Sequence, residues 1–449
     1  MKTKVGVAFI APESGAVGEP PRSQERFDKK EDLVKDKLKE MYPEIDFSYH
    51  EIKTLEDVSN FLDEEKTSTG YLVFVLNSIG GLLRPILQSG EPTILINETY
   101  GGSGEYLLEY SRALKKEYPV IGVSAREIAS DKALKDVELL EVVGKLKSSR
   151  SLFIVSPGTE QLVEAEYPLS VDLWSSIQSI NNKTGINSLF LNSKEFVENY
   201  YSEVDDEKAE DLKNKWMDNA EEVREEKTEG IKNSAKLYFA LKEAVKDYDV
   251  DSIAVDCIVL FRNEFLDAWP CLSFMELSKD EDIVPVCEAD PYSNVSLLIM
   301  SYLADLPGFI NDPSPDEFSD EVVYYHCYAP INFCGSSKEE SDYSIKHAHL
   351  DGKHASVYTE LPEEGEITVV GLDPDNEVMT LHTAEALANE DSEYACSTKL
   401  VGKTDTKALA ENWRPRSGWH RVAFYGNWIE ELEKIAKLLG MDTEREDIK

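Results

Sequence analysis

The sequence predicts an α/β protein in which two doubly wound parallel-sheet domains are followed by a β-rich, barrel-like C-terminal domain. In the first third of the chain, short apolar runs such as YLVFVLN and PTILIN alternate with amphipathic helical segments, the pattern of a parallel sheet covered on both faces. A second, similar series begins at RSLFIVS. Towards the C-terminus the runs become β-branched and are separated by turn residues such as DGK and DPDNE, which favours antiparallel β structure.

These changes in pattern predict three domains, because 449 residues exceed the size of one ordinary domain. We expect an N-terminal α/β domain over 1–148, a second α/β domain over 149–312 and a β-rich domain over 313–449. Acids and lysines alternate through 204–247, which indicates an exposed pair of helices inserted in the second domain. The last helix, WIEELEKIAKLLG, ends at Gly440.

The formal net charge of −40 argues against nucleic acids and anionic membranes as partners, because both repel such a surface. The same charge favours an origin in high salt, where dissolved ions screen the repulsion between acidic groups. Lys nevertheless supplies most of the basic residues, whereas we expect a strongly salt-adapted protein to use less of it.

Cysteine usage and hydropathy predict a cytoplasmic enzyme. The six cysteines form no CxxC pair, which indicates reduced and mostly buried thiols rather than a disulfide framework. The first apolar run, within MKTKVGVAFIAP, is too short for the core of a signal peptide. No uninterrupted apolar stretch approaches the length of a membrane span, which is about 18 residues.

Two apolar runs end on carboxylates, in VCEADPYSN and GFINDPS. Between them, Asp290 and Pro291 have the residue types of a helix N-cap and first helical position. A β-α-β unit would place Glu288 and Asp312 at the carboxyl ends of parallel strands, where open α/β sheets bind ligands. On neighbouring strands, about 4.8 Å apart, both could reach one metal ion. Alternatively, Asp312 starts a turn and Glu288 pairs with a surface lysine.

Two of the seven histidines are further candidate ligands for a metal ion bound by this acidic pair. His326 in VVYYHCYAP and His420 in SGWHRVAFYG would complete a mixed oxygen and nitrogen set suited to Mn²⁺, Mg²⁺ or Co²⁺. Taken singly, each also fits a hydrogen-bonded core or turn histidine. The segment KHAHLDGKH holds three more histidines, but its Asp-Gly step predicts a hairpin without a metal.

The segments CEADPYSN, FINDPSPDEF, YYHCYAP and NWRPRSGWHRVAFYGN, in this order, resemble the L-fucose isomerase family and, more distantly, the L-arabinose isomerases. The resemblance implies that Glu288, Asp312 and His420 hold a manganese ion. In the arabinose-type enzymes an intermediate histidine also binds the metal, and His326 matches that position. The resemblance further implies a homo-trimer or hexamer and a small-molecule sugar as substrate.

The expected activity is aldose–ketose isomerisation of an open-chain sugar through an enediolate, with Glu288 and Asp312 also serving as the acid/base pair. Arg22 is the nearest match to the family's N-terminal substrate-contacting arginine, and equally fits a solvated loop. Trp419, near Trp413 and Tyr425, is a candidate wall for the sugar or a core residue. Two alternatives are a non-catalytic sugar-binding protein and a metal-dependent hydrolase or lyase acting on a sugar derivative.

Overall fold

The computed structural model describes residues 2–12, 24–77, 81–155, 173–224, 228–262, 266–279, 283–335, 340–347, 355–373, 375, 377–392 and 394–449. The chain forms two compact units. Unit 1 comprises Met1–Ser148 and Glu431–Asp442, and unit 2 comprises Ser149–Glu430 and Thr443–Lys449. The three domain boundaries predicted from the sequence remain a prediction.

Unit 1 contains a parallel sheet of five strands in the order β2-β1-β3-β4-β5. Every residue of β3 (GYLVFV) is buried, as expected for a central strand covered on both faces. The strands and helices are β1 (Thr3–Ile10), α1 (Gln24–Met41), β2 (Ile45–Ile52), α2 (Leu55–Glu64), β3 (Gly70–Val75), α3 (Leu83–Leu87), β4 (Thr93–Glu98), α4 (Ser103–Lys115), β5 (Val120–Ala125), α5 (Asp131–Leu134) and α6 (Glu138–Ser148).

Unit 2 begins with a second parallel sheet, in the order β7-β6-β8-β9. Its elements are β6 (Arg150–Val155), α7 (Leu173–Thr184), β7 (Asn187–Asn192), α8 (Ser193–Asn199), α9 (Asp206–Asn219), α10 (Thr228–Tyr248), β8 (Ser252–Val255), α11 (Cys257–Arg262), α12 (Cys271–Leu277), β9 (Val284–Val286) and α13 (Pro291–Ala304). The helical pair expected over 204–247 is α9 and α10. Its exposure was predicted wrongly for α10, which buries a face that includes Ile231, Leu237 and Leu241.

The rest of unit 2 is a closed antiparallel barrel. Strands β14, β17, β10, β11, β16 and β15 pair in that order, and β15 pairs again with β14. From Phe309 onwards the elements are β10 (Phe309–Asp316), β11 (Glu321–His326), β12 (Tyr343–His347), β13 (Ala355–Thr359), β14 (Glu366–Leu372), β15 (Val378–Asn389), β16 (Thr398–Lys403), α14 (Thr406–Asn412), β17 (Arg421–Tyr425), α15 (Ile429–Leu438) and β18 (Asp442–Arg445). Strands β12 and β13 form a separate two-stranded sheet, and most of α15 belongs to unit 1.

The six barrel strands share one apolar core. Phe309, Tyr324, Val369, Leu400 and Ala423 belong to this buried cluster, which receives residues from all six strands. Burial alternates along β11, as expected for a strand with one face towards a core. Two parallel-sheet α/β regions followed by a barrel confirm the predicted fold class.

The β-α-β unit predicted between the two carboxylates is wrong. Strand β9 is the edge of the parallel sheet, whereas β10 pairs antiparallel with β11 and β17 in the barrel. Asp312 therefore lies inside a barrel strand, opposite Tyr325, rather than at the end of a parallel strand. The physical reason is that the apolar run at the start of β10 does not specify its partners, which are β11 across a short turn and β17 about a hundred residues further along the chain.

Two further expectations concern helices and turns. In the described parts of the chain, no helix combines the length and apolar character that crossing a bilayer requires. His347, at the end of β12, pairs with Ala355 in an antiparallel hairpin, while 348–354, with the other two histidines of that segment, lie outside the described residues.

Candidate metal centre

Glu288 lies in a tight turn immediately after β9. The turn spans Cys287–Ala289, and both Glu288 (φ 54) and Ala289 (φ 49) have left-handed backbone conformations. Such conformations are uncommon for residues other than glycine and cost on the order of 1–3 kcal/mol each. They persist only where the surrounding structure holds them, and they often occur at functional sites.

Asp290 follows this turn and caps helix α13. Its Oδ1 accepts a hydrogen bond of 2.9 Å from the backbone N–H of Tyr292, and Pro291 occupies the first turn of the helix. This arrangement agrees with the N-cap expected from the sequence. It fixes the position of the Asp290 carboxylate, which is 3 % exposed.

The barrel brings Asp312, His326 and His420 together. Strand β10, which carries Asp312, lies between β11 and β17 in the sheet. His326 is the last residue of β11, and His420 immediately precedes β17. Three neighbouring strands thus present one polar side chain each to the same region of unit 2.

Glu288 lies between the two imidazoles. Its Oε1 is 3.5 Å from His326 Nε2, and its Oε2 is 3.5 Å from His420 Nε2. Asp312 Oδ1 is 3.9 Å from the same His420 nitrogen. Ligand atoms of Glu288, His326 and His420 all lie within 4.8 Å of one another. The structure therefore brings three of the four predicted metal ligands within that distance of one another, and the fourth, Asp312, lies beside His420.

Asp290 sets the orientation of His420. The Nδ1–H of His420 donates to Asp290 Oδ2 at 3.0 Å, because an ionised carboxylate can only accept. In the neutral ring this leaves the Nε2 lone pair directed at Glu288 and Asp312. A carboxylate behind a ligating histidine is the usual way in which proteins fix the tautomer and raise ligand basicity.

The electrostatics reflect three carboxylates packed against two imidazoles. Burial alone would lower the pKa of His420, but its bond to Asp290 and the charges of Glu288 and Asp312 raise that pKa to about 10. Burial would raise the pKa of Glu288, yet the contact with His326 and the charge of His420 bring it below its ordinary value. Burial raises the pKa of Asp312 above its ordinary value, despite both imidazoles.

The donor set fits a divalent metal ion. Asp312 Oδ1 and His326 Nδ1 are buried polar atoms without a hydrogen-bond partner. Two ligands about 2.1 Å from one ion lie roughly 3–4 Å apart. The distances from Glu288 to His326, from Glu288 to His420 and from Asp312 to His420 fall in this range. Oxygen and imidazole ligands suit Mn²⁺, Mg²⁺ or Co²⁺ better than a soft ion.

The two predicted substrate contacts have different outcomes. Trp419, next to His420, is 57 % exposed, so the core-packing alternative does not describe it. Core packing does describe Trp413 and Tyr425, which pack against the barrel core. Arg22 lies outside the described residues.

A pair of cysteines beside this centre was not predicted from the sequence. Cys327 directly follows His326, and its Sγ lies 3.2 Å from the Sγ of Cys396. The position of Cys327 directly after the candidate ligand His326 was the sequence feature that could have pointed to it. The partner, 69 residues further along the chain, could not be identified without the pairing of β11 with β16.

Comparisons with known proteins give one curated relative and weak structural matches. No protein-family model matches the chain. The chain is 24 % identical over 214 residues to a sulfoquinovose isomerase from Clostridium sp. (strain MSTE9). The alignment covers 46 % of this chain and 47 % of that enzyme, so the chain matches about half the length of this relative. The similarity is to a sugar isomerase, and not to an L-fucose isomerase specifically.

The similarity to solved structures is weak. A solute-binding protein of an ABC transporter from Burkholderia multivorans has 13 % identity and a TM-score of 0.18, covering 59 % of this chain and 85 % of that one. Another solute-binding protein, from Agrobacterium vitis and bound to α-D-tagatopyranose, has 10 % identity and a TM-score of 0.19. That match covers 67 % of this chain and 89 % of the solute-binding protein. At such scores the matches do not establish a common fold.

Proposed function

We propose that this protein is a metal-dependent aldose–ketose isomerase that acts on an open-chain sugar through an enediolate. The observation that carries the proposal is the group formed by Glu288, His326 and His420 in unit 2, with Asp312 lying 3.9 Å from His420. The partial similarity to a sulfoquinovose isomerase supports sugar isomerisation as the reaction class. It also makes sulfonated sugars worth including among the substrates tested.

In this proposal Glu288, Asp312 and His420 hold the cation, with His326 as a further ligand. A bound divalent ion would acidify the proton next to the sugar carbonyl and stabilise the negative charge that develops on oxygen. Glu288 and Asp312 also exchange protons with the substrate. One carboxylate removes a proton from the carbon beside the carbonyl, and an acid returns one to the neighbouring carbon.

The remaining residues prepare the site for this exchange. Asp290 holds the His420 ring so that Nε2 points towards the carboxylates. Asp312 Oδ1, buried and without a hydrogen-bond partner, is available to accept a proton or a cation. Trp419 offers an exposed apolar surface beside His420 for the sugar ring or chain.

Isotope incorporation tests the reaction class. The protein is treated with a chelator, resupplied with Mn²⁺ and incubated in heavy water with pentoses, hexoses, deoxy sugars and sulfonated sugars. We expect deuterium at C1 or C2 of an isomerised sugar, seen by NMR, and no product before Mn²⁺ is added. The reason is that the proton moved between the two carbons exchanges with solvent while a side chain holds it.

Other outcomes identify the alternatives. Sugar binding that survives chelation without turnover would indicate a non-catalytic binding protein. Cleavage or elimination products that depend on Mn²⁺ would indicate a hydrolase or lyase. The same purified sample, studied by light scattering, tests the homo-trimer or hexamer implied by the resemblance, and a salt titration of its stability tests the proposed high-salt origin.

Asp290→Asn is expected to weaken Mn²⁺ binding about 10–100-fold, because the residue orients His420 and raises its basicity. Asn is itself a good N-cap, so helix α13 should remain intact. Mn²⁺ titrations followed by electron paramagnetic resonance measure the change. Asp405→Asn is the matched control, since Asp405 caps α14 in the same way, by accepting from Ala408 N–H at 2.9 Å. Equal Mn²⁺ affinities in both variants would contradict the orienting role of Asp290.

A further inference from the structure

Three thiols adjoin the candidate metal centre. Cys327 Sγ is 3.2 Å from Cys396 Sγ, and Cys271 also contacts the Cys327 thiol. All six cysteines lie in the described part of the chain, and none forms a disulfide. The proposed isomerase reaction uses none of them.

The backbone explains why Cys327 and Cys396 meet. Strands β11 and β16 are antiparallel neighbours, with His326 opposite Thr398. Cys327 follows the last residue of β11, and Cys396 lies two positions before the start of β16. Both cysteines are therefore held at one end of the same strand pair, where cross-strand neighbours are within disulfide reach.

Exposure separates this pair from the third thiol. Cys327 and Cys396 are both partly exposed, whereas Cys271 is buried and only 2 % exposed. A small oxidant in solvent can reach a partly exposed thiol, and a neighbouring thiol then resolves the product. Cys334 is exposed, which makes it a matched control for non-specific oxidation.

We propose that Cys327 and Cys396 form a dithiol that hydrogen peroxide converts to a disulfide. One thiolate attacks a peroxide oxygen, the O–O bond breaks, and a sulfenic acid forms while hydroxide leaves and takes up a proton. The second sulfur then attacks the sulfenic sulfur, the S–O bond breaks and water leaves. Two thiols and one peroxide give one disulfide and two waters, so the sulfurs supply both electrons.

Disulfide formation also changes the metal centre, an effect that rests on the proposed function. The two sulfurs of a disulfide are about 2.05 Å apart, so they must approach by roughly 1 Å. Cys327 is covalently joined to His326, which is 3.5 Å from Glu288. The oxidised protein is therefore expected to bind Mn²⁺ about tenfold more weakly, as when residues that position ligands are altered.

The test treats the full chain with a small excess of peroxide and then blocks the remaining thiols. We expect the loss of two of the six thiols, a mass decrease of about 2 Da before blocking, and one cross-linked peptide pair containing residues 327 and 396. Dithiothreitol should restore the thiols. Cys334→Ser and Cys271→Ser should give the same cross-link, while Cys396→Ser and Cys396→Ala should give none.

A cross-link through Cys271 or Cys334, or thiol loss through added oxygen without a cross-link, overturns the dithiol. Two Cys396 variants are used, so that a folding defect of one leaves the other informative. If the cross-link forms and Mn²⁺ affinity does not change, the link to the metal centre is wrong while the dithiol stands. If reduced protein binds no Mn²⁺, the proposed function fails independently of the dithiol.

Discussion

Glu288→Gln is expected to lower kcat/KM for sugar isomerisation about 10²–10⁴-fold, the range usually lost when an acid/base group is removed. Glu288 faces both imidazoles: its Oε1 lies 3.5 Å from His326 and its Oε2 lies 3.5 Å from His420. The amide keeps the shape of the side chain but removes the negative charge and the basic oxygen. Initial rates in saturating Mn²⁺ distinguish lost chemistry from lost metal, and circular dichroism checks the fold.

Asp312→Asn should have an effect of similar size, because Asp312 Oδ1 is buried, lacks a hydrogen-bond partner and lies 3.9 Å from His420 Nε2. Asp316→Asn is the matched control: it makes the same chemical change on the same strand, at an exposed position beside the hairpin turn. That control should keep its rate. If Glu288→Gln or Asp312→Asn kept near-normal turnover in Mn²⁺-replete buffer, the mutated carboxylate would not belong to the proposed acid/base pair.

The sequence predicted the architecture because its signals are local. A run such as GYLVFV in β3, buried at every position, distinguishes a covered parallel strand from the alternating strand β11. The error concerned β10, which starts with the same kind of apolar run as a parallel strand. Its pairing depends on β11 and on β17, and β17 lies about a hundred residues further along the chain. Local patterns do not encode such long-range pairing.

The sequence identified the residues of the candidate site but not the structural elements that position them. Glu288, His326 and His420 do lie together and Asp312 lies beside His420, but barrel strands position Asp312 and the two histidines, and a strained turn positions Glu288. Positive φ values at a Glu and an Ala are not readable from residue types, since neither favours that conformation. Only Asp290, in an acid-x-acid spacing followed by proline, carried a local signal for its position.

Glu446→Ala is expected to cost about 3–5 kcal/mol of unfolding free energy, because it breaks a buried ion pair and leaves the other charge uncompensated. Glu446 Oε1 accepts from Arg421 Nη2 at 2.7 Å, and its Oε2 accepts from His382 Nδ1 at 3.1 Å. All three side chains are fully buried. Glu444→Ala is the control: its 2.8 Å pair with Arg414 is half exposed and worth about 1 kcal/mol at most.

The same network gives a defined acid response. Burial would raise the pKa of Glu446, but the charge of Arg421 and the bond from His382 lower it from 4.5 to about 2. Because the folded-state pKa lies below the unfolded value, the stabilisation is complete above pH 4.5 and is lost as the pH falls towards 2. Glu446→Gln removes this titration while preserving shape. The difference in Tm between wild type and Glu446→Gln should therefore shrink over that interval, and a constant difference would show that folding does not lower the pKa of Glu446.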